Sequence, residues 1–323
     1  MNLHRLYFLL IKITFLIFLF LQFHIKPINM LKGAYTLLIT PFKEDLSLDV
    51  DGLKILVQKQ LDSGIHGIAS LGVTGENTMM TDEEVYKVVE VIANMAKGKT
   101  KIVPDACSTS LWEAKERVKK FADLGADYIA VFTPYFVLPK QEGLIDFYEK
   151  LADFSPIPII LHNAPERTGV DLLPETTGLL SKHPNIAGIK DGNKKLDHLA
   201  KILYLTKDED FSVFTGKDTT AYPMIAIGGA GTFTVAGNII PEVMKDLTDL
   251  ALAGDMKKAE QLHFKYYSLF EALRFESNPM AAKMALNLMG LPAGGHRSPL
   301  TPLSEGKTKI LKSLMIQKGL IKE

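Results

Sequence analysis

Short apolar runs alternate with longer amphipathic stretches along this chain from Tyr35 onward. Runs of four or five apolar residues are typical of strands buried in a parallel sheet, and amphipathic stretches between them are typical of crossover helices. Eight apolar runs lie at residues 35–39, 67–71, 102–106, 128–132, 157–161, 186–190, 212–215 and 231–235. Eight βα units in about 210 residues predict an α/β fold of the TIM (β/α)8 barrel type.

Local start and stop signals support the helices of this pattern. Gly64 and Gly125 stand where two helices should end, and the pair Thr81 and Glu84 forms a capping box where another should begin. These signals predict helices over residues 50–63, 81–95 and 111–124.

Beyond residue 235 the apolar runs cease, and the pattern becomes helical. Helices are expected around residues 246–252, 257–275 and 279–288. We therefore predict a barrel over residues 30–238, followed by a C-terminal helical region over residues 239–323.

The first 29 residues differ from the rest of the chain. Residues 7–23 are almost wholly apolar and are flanked by Arg5 and Lys26, as in a signal peptide or a membrane anchor. No small-x-small cleavage site follows them, and the segment from Met30 onward has the form of a soluble enzyme's N-terminus. We therefore favour translation from a mis-set start, which predicts a cytoplasmic protein. A genuine signal or anchor would predict export or attachment to a membrane.

The composition excludes several function classes. Lysine plus arginine and aspartate plus glutamate each number 37, so the chain has no excess positive charge for nucleic acid or an anionic membrane. The single cysteine, Cys107, excludes an intramolecular disulfide and fits a reducing compartment. The histidines on loops and helices show no metal-ligand spacing, so no metal site is predicted.

Lys190 ends the sixth apolar run, at the barrel face where active sites of this fold lie. Burial disfavours the ammonium form and lowers the pKa of the amine, and a neutral amine can condense with a ketone to give an iminium. The alternative is that Lys190 pairs with Asp191 at the mouth of the barrel. Asp105 and Asp218, at other strand ends, are pocket groups or, as we favour, turn residues, and Trp112 is expected to be a packing residue.

The second apolar run leads into Gly72-Val-Thr-Gly-Glu-Asn77. Two glycines around a hydroxyl residue allow a sharp turn that presents backbone N–H groups to an anion such as a carboxylate. The same glycines also suit an ordinary strand-to-helix turn, so the motif by itself leaves both interpretations open.

Four motifs occur in one order at the strand ends. They are Gly-x-Thr-Gly-Glu76 after the second strand, Thr133-Pro-Tyr135 with Pro139 after the fourth, His162-Asn-x-Pro-x-Arg-Thr-Gly169 after the fifth, and Gly188-Ile-Lys190 on the sixth. Together they resemble the dihydrodipicolinate synthase / N-acetylneuraminate lyase (DapA-like) family of pyruvate-handling class I aldolases. The resemblance runs from about Lys32 to about Leu320.

The resemblance implies a lyase in which Lys190 forms a Schiff base with pyruvate or with the ketone of a 2-oxo acid. It also implies that Thr74, with the N–H groups around Val73 and Thr74, holds the pyruvate carboxylate, and that the backbone near Phe233 lines the same pocket. No metal or organic cofactor is expected, and the resemblance implies a homotetramer or a homodimer.

Three positions depart from the family's pattern. His162 stands where the synthases have a tyrosine that donates and accepts protons, Val73 where they have a threonine, and Phe136 where a neighbouring subunit supplies a tyrosine. Valine and phenylalanine have no exchangeable proton, so the hydroxyl relay of the synthases cannot operate here. Tyr135 partly compensates if its hydroxyl points inward, and His162 can act as acid and base because an imidazole titrates near neutral pH. The alternative for His162 is a packed histidine bonded to a backbone carbonyl.

Arg167 suggests an anionic second substrate. In the synthases the arginine of this motif binds the carboxylate of the second substrate, and a guanidinium matches two oxygens. Our main hypothesis is aldol cleavage or condensation of a 2-oxo acid, with dehydration also open. A second hypothesis is the condensation of pyruvate with aspartate semialdehyde, the lysine-pathway reaction of the family's synthases. A third, from another class, is a catalytically impaired pyruvate-binding regulatory protein.

Overall fold

Eight parallel strands form a nearly closed barrel in the computed structural model, which describes residues 30–193 and 195–322. The strands are β1 (Gly33–Leu37), β2 (Gly67–Ser70), β3 (Lys101–Pro104), β4 (Ile129–Phe132), β5 (Ile159–Asn163), β6 (Ile186–Asp191), β7 (Ser212–Thr215) and β8 (Gly231–Thr234). They pair in the order β3-β2-β1-β8-β7-β6-β5-β4, and a bridge between Asp105 and Ala130 joins the ends of β3 and β4. The predicted TIM barrel is confirmed.

Helices connect the strands and follow the barrel. They are α1 (Val50–Asp62), α2 (Asp82–Ala96), α3 (Leu111–Leu124), α4 (Gln141–Phe154), α5 (Pro165–Thr168), α6 (Pro174–Leu180), α7 (Leu196–Leu205), α8 (Ala221–Ala226), α9 (Pro241–Leu252), α10 (Met256–Ala272), α11 (Met280–Leu288) and α12 (Glu305–Gln317). Short 3-10 turns lie at Asn77–Met79, Asp218–Thr220 and Ala236–Asn238.

The predicted capping box and the predicted C-terminal glycine are both confirmed. The Thr81 hydroxyl accepts a hydrogen bond from the Glu84 N–H at 3.3 Å, and the Glu84 carboxylate accepts one from the Thr81 N–H at 3.1 Å. Gly125 ends α3 in the left-handed region, with φ of 102°. These caps satisfy backbone groups that the first and last helical turns leave without partners.

Two strands are displaced by two residues from their predicted positions, since β1 covers 33–37 and β5 covers 159–163. Pro158 has no N–H to donate, so the ladder of β5 begins after it. The N–H of Ile39 bonds the side chain of Asn238 at 3.1 Å, which takes that residue out of β1.

The expectation for Trp112 is wrong, because 78% of this residue is exposed. The buried residues of α3 are Ala114, Val118 and Phe121, which lie on one face of the helix. Trp112 is two residues before Ala114, and residues two apart lie on nearly opposite faces of a helix, so the Trp112 side chain points to solvent.

Aromatic rings fill the barrel below its carboxyl-terminal mouth. The rings of Tyr35 and Phe233 stack with centroids 5.0 Å apart, and Phe214 meets Phe233 edge-on at 5.2 Å. A Cβ on Gly67 would lie 2.1 Å from the Tyr35 ring, so only glycine leaves room for it. The barrel is therefore solid, and a site can form only at its mouth.

The C-terminal helices cover one side of the barrel and reach its mouth. Helix α9 packs against β1 and β8, α10 packs against α8 and α9, and α12 packs against α10 and α11. The division of the chain at residue 238 stays a prediction.

No helix within residues 30–193 and 195–322 is long and apolar enough to cross a bilayer. The expectation for the apolar stretch 7–23 concerns residues outside the described range, and the start at Met30 stays a prediction.

Candidate active site

Lys190 lies at the centre of the barrel mouth, near the carboxyl end of β6. Its amine is 5.5 Å from the centre of the Phe233 ring, and the residue is only 5% exposed. Burial lowers the pKa of the amine to about 8, although Asp105 and Cys107 act in the opposite direction. The neutral, nucleophilic form of Lys190 is therefore far more populated near neutral pH than in an exposed lysine, at about a tenth of the molecules at pH 7.

The alternative of a Lys190–Asp191 pair does not describe this site, because Asp191 is bonded elsewhere. Its carboxylate lies 3.1 Å from Nε2 of His198 and accepts hydrogen bonds from Asn163 Nδ2 and the Asn193 N–H. This network lies behind the strand and leaves the Lys190 amine to the chamber at the barrel mouth.

His162 lies beside Lys190, since the two are register partners in β5 and β6. Its Nδ1 is 2.5 Å from Oδ2 of Asp105, and the Phe132 ring packs against the imidazole with centroids 3.7 Å apart. Burial and the Lys190 charge lower the pKa of His162, while Asp105 and Asp191 oppose that shift. The partner of His162 is a carboxylate rather than the backbone carbonyl of the packed alternative.

The loop after β2 brings Thr74 to the same chamber. Thr74 Oγ1 accepts a hydrogen bond from Asn278 Nδ2 at 2.8 Å, so its own hydroxyl hydrogen is available to another acceptor. A Cβ on Gly75 would lie 2.7 Å from the Leu71 nitrogen, so this sharp turn requires glycine. A Cβ on Gly72 would lie 3.9 Å from the Lys190 amine, so glycine there keeps the approach to the amine open.

Two adjoining cavities open from the barrel mouth. An inner chamber of about 80 Å³ is lined by Lys190, His162 and Thr74, among others, and an outer cleft of about 470 Å³ lies above it. Val73, Arg167 and Asn278 line both. The outer cleft is mainly apolar, with Met79, Phe132, Tyr135, Pro299 and Leu300 in its wall. The site thus offers a small compartment at the amine and a larger one for a second group.

Arg167 lies in α5, where its Nη1 donates to Ser277 Oγ at 3.1 Å. Burial and the neighbouring Arg274 lower the pKa of Arg167. Arg274 also lines the inner chamber, so two guanidinium groups lie close together at the boundary of the two cavities. Such a pair attracts an anionic group.

Phe233, Tyr135 and Phe136 occupy three different positions. The Phe233 ring lies beneath the amine as the floor of the mouth, and Tyr135 is half-buried in the wall of the outer cleft, where burial raises its pKa. Phe136 is 89% exposed, with φ of 69°, and points away from this chain's own site.

The structure favours the pocket-group alternative for Asp105 over the turn residue, because its carboxylate contacts His162. The sequence does not predict Arg274 or Asn278 at the site. Asn278 is 204 residues from its partner Thr74, and no local pattern signals that contact.

The comparisons with known proteins agree on one family. The model of the Dihydrodipicolinate synthetase family matches residues 30–318. The 4-hydroxy-tetrahydrodipicolinate synthase of Methanospirillum hungatei is 38% identical over 288 residues, which cover 88% of this chain and 99% of that relative. The corresponding synthase of Methanocaldococcus jannaschii is 38% identical over 293 residues, covering 90% of this chain and 100% of the relative.

Solved structures give the same picture. The dihydrodipicolinate synthase of Thermotoga maritima superposes with a TM-score of 0.88 at 34% identity, covering 91% of this chain and 100% of that one. The chloride-inhibited dihydrodipicolinate synthase of Acinetobacter baumannii, complexed with pyruvate, has a TM-score of 0.88 at 35% identity, covering 90% of this chain and 100% of that one.

Proposed function

This chain belongs to the Dihydrodipicolinate synthetase family, and from that premise we propose that it is a Schiff-base lyase acting on pyruvate or another 2-oxo acid. The observation that carries the proposal is the buried Lys190 amine, whose pKa of about 8 leaves it nucleophilic in a small chamber. Attack on the keto carbon followed by loss of water gives an iminium, which accepts the electron pair of a breaking carbon–carbon bond.

Thr74 is the proposed ligand of the substrate carboxylate. Its hydroxyl accepts from Asn278 and can donate its hydrogen into the chamber. The loop's own turn uses the N–H groups of Gly75 and Glu76, which bond the carbonyls of Gly72 and Val73. We assign the N–H groups of Val73 and Thr74 to the carboxylate.

Arg167 is the proposed ligand of the second substrate, because it lines both the chamber at the amine and the outer cleft. A guanidinium at that boundary fits an aldehyde or cleavage product that carries an anionic group. Tyr135 lies in the same cleft and can bond a polar group of that substrate.

Borohydride trapping tests the lyase. Incubation with pyruvate and borohydride should add the mass of one reduced pyruvate per chain, at Lys190, and Lys190→Arg should abolish the addition. Lys43→Arg, which changes an exposed lysine, should still be trapped. A wild-type protein that retains an unmodified Lys190 under these conditions contradicts the proposal.

Among the candidate reactions, condensation of pyruvate with aspartate semialdehyde draws support from Arg167 and from the names of the curated relatives. Cleavage or dehydration of another 2-oxo acid draws support from the replacement of hydroxyl residues by Val73 and Phe136. Complementation of a lysine-requiring strain, alongside a screen of 2-oxo acids for pyruvate release, separates the two. A regulatory pyruvate-binding protein would instead fail to exchange deuterium into the methyl group of pyruvate.

We propose a cytoplasmic homodimer or homotetramer. The exposed loop residues Phe136, Val137 and Leu138 form an apolar surface that another subunit can cover. Phe136→Ser should therefore weaken assembly in analytical ultracentrifugation, whereas Tyr204→Ser, at a residue that is 68% exposed on α7, should not. Equal dissociation of both variants and the wild type would exclude this loop from the interface.

A further inference from the structure

A carboxylate, an imidazole and an amine from three different strand ends form one buried cluster. Asp105 Oδ2 is 2.5 Å from His162 Nδ1, and His162 is the register neighbour of Lys190. The position that a Cβ on Gly72 would occupy lies 3.4 Å from Asp105 Oδ2 and 3.9 Å from the Lys190 amine. The carboxylate and the amine therefore both face Gly72, and the imidazole is held between their strands by its contact with Asp105.

The protein fixes Asp105 from several sides. Its N–H donates to the Ser70 carbonyl at 2.9 Å, and its carbonyl accepts from Asn77 Nδ2 at 3.1 Å. Its second carboxylate oxygen, Oδ1, is 3.7 Å from the Cys107 sulfur. Burial raises the pKa of Cys107, so the sulfur keeps its one proton, for which Oδ1 and the Leu71 carbonyl are both within reach.

An ionised Asp105 carboxylate can only accept in this contact, which assigns the proton to Nδ1 of His162. Nε2 is then the ring nitrogen that can exchange a proton with a bound substrate. The Phe132 ring packs on the imidazole and limits its rotation. A carboxylate that fixes the tautomer and orientation of a histidine in this way is a recurring device in acid–base catalysis.

We infer that Asp105 is a positioning residue that directs Nε2 of His162 toward the reacting carbon atoms, where the imidazole moves the proton in place of a hydroxyl relay. The inference rests on the proposed Schiff-base function. The His162 imidazole would then carry out the proton transfer that Val73 and Phe136 cannot, because their side chains have no exchangeable hydrogen.

In the cleavage direction His162 moves the same proton twice. His162 Nε2 takes the proton from the hydroxyl on the carbon to be released, the carbon–carbon bond breaks, and its electron pair converts the iminium into an enamine. The aldehyde leaves. The imidazolium then returns the proton to the enamine carbon, and water hydrolyses the resulting iminium to pyruvate and the free Lys190 amine. Condensation is the same sequence in reverse.

The charged groups near His162 come from several elements of the barrel. Asp105 acts from the end of β3, and Lys190 and Asp191 act from β6. The remaining charged residues that line the chamber are Glu166, Arg167, Lys217 and Arg274.

The variant Asp105→Asn tests whether Asp105 positions the base or only stabilises the fold. Asparagine can present its amide N–H to Nδ1, which would move the imidazole proton to Nε2 and disable the base. Trapping of pyruvate at Lys190 should continue, while enzyme-dependent deuterium exchange into the pyruvate methyl group should fall by about 10²-fold or more. Asp218→Asn, at a buried aspartate beyond β7, is the matched control and should leave exchange intact.

The outcomes distinguish this inference from the proposed function. A wild type that is never trapped overturns the lyase itself, whereas normal trapping with wild-type exchange in Asp105→Asn overturns the role of Asp105 alone. Nitrogen-15 NMR of the wild type gives a test that needs no folded variant. The His162 signal should report a proton on Nδ1, and a proton found on Nε2 would contradict the inference.

Discussion

At the scale of single residues, the chemistry that we propose depends on the cost of burying one ammonium group. Lys190 is almost fully enclosed and lies above an aromatic ring. Removing water disfavours the charged form, and the acidic groups nearby offset only part of that effect. The same burial that makes the amine nucleophilic therefore destabilises the folded protein.

Lys190→Met should stabilise the protein at pH 7 while abolishing trapping. The folded pKa of about 8 is below the ordinary value of 10.5, so between these pH values the unfolded chain binds more protons, and wild-type stability rises with pH. The gain from methionine should be on the order of a few kcal/mol at pH 7 and should shrink toward pH 10. Urea denaturation at both pH values measures it, with the exposed-site variant Lys43→Met as control. An unchanged or lower stability at pH 7 would show that the ammonium is well compensated.

The rate of iminium formation should follow the same titration. Trapping of pyruvate should speed up as pH rises toward about 8 and level off above it, because only the neutral amine attacks. Since Asp105 raises the pKa of Lys190, Asp105→Asn should move the midpoint to lower pH. Single-turnover trapping across this range measures both midpoints. A midpoint near 10.5 would mean that burial does not tune this amine.

At the scale of elements, the loop after β2 is held by a helix from the other end of the chain. Glu76 has a left-handed backbone, with φ of 56°, and its carboxylate is 2.5 Å from the amine of Lys283 on α11. The Lys283 amine also donates to the Gly295 carbonyl at 2.8 Å and lies 4.2 Å from the centre of the Phe42 ring. This buried pair fixes the turn that carries Thr74.

Breaking the Glu76–Lys283 pair should be costly. Lys283→Met leaves a buried carboxylate without its cation, and the expected loss of unfolding free energy is about 3–5 kcal/mol. Glu76→Gln combined with Lys283→Met removes both charges and should cost clearly less than the sum of the two single changes. Denaturant unfolding of the wild type, Glu76→Gln, Lys283→Met and the double variant completes the double-mutant cycle. Additive losses would show that the two charges do not interact.

At the scale of the whole molecule, the last barrel helix comes after the last strand and closes the ring. Buried residues of α9, including Met244 and Leu247, belong to the barrel core where this helix covers β1 and β8. The Asn238 amide bonds the carbonyls of Leu37 and Val235, which fastens the end of β8 to β1. We propose that the barrel ends with α9 rather than at residue 238.

A chain of residues 30–238 should therefore fail to fold cooperatively. Without α9, the apolar outer surfaces of β1 and β8 are exposed to water, which removes much of the hydrophobic stabilisation at the barrel's closure. Circular dichroism during thermal unfolding should show no sharp transition for this fragment, whereas residues 30–322 should unfold cooperatively. A sharp transition in the shorter chain would support the division at residue 238.

The sequence by itself determined the fold class, because strand runs, capping boxes and terminal glycines are local features. Thr81 with Glu84 and the glycine at 125 set helix ends through contacts a few residues apart. It also placed Lys190 at a strand end, and the barrel puts strand ends at the active face.

The tertiary structure alone decided how the candidate site is arranged, because its main contacts join residues far apart in the chain. Asp105 and His162 are 57 residues apart, and Thr74 and Asn278 are 204 apart. Residues so far apart in the sequence come into contact only when the barrel and the C-terminal helices pack. No local sequence pattern predicts which strand-end side chains then meet. The sequence therefore supplied the lysine, and the packing supplied its environment.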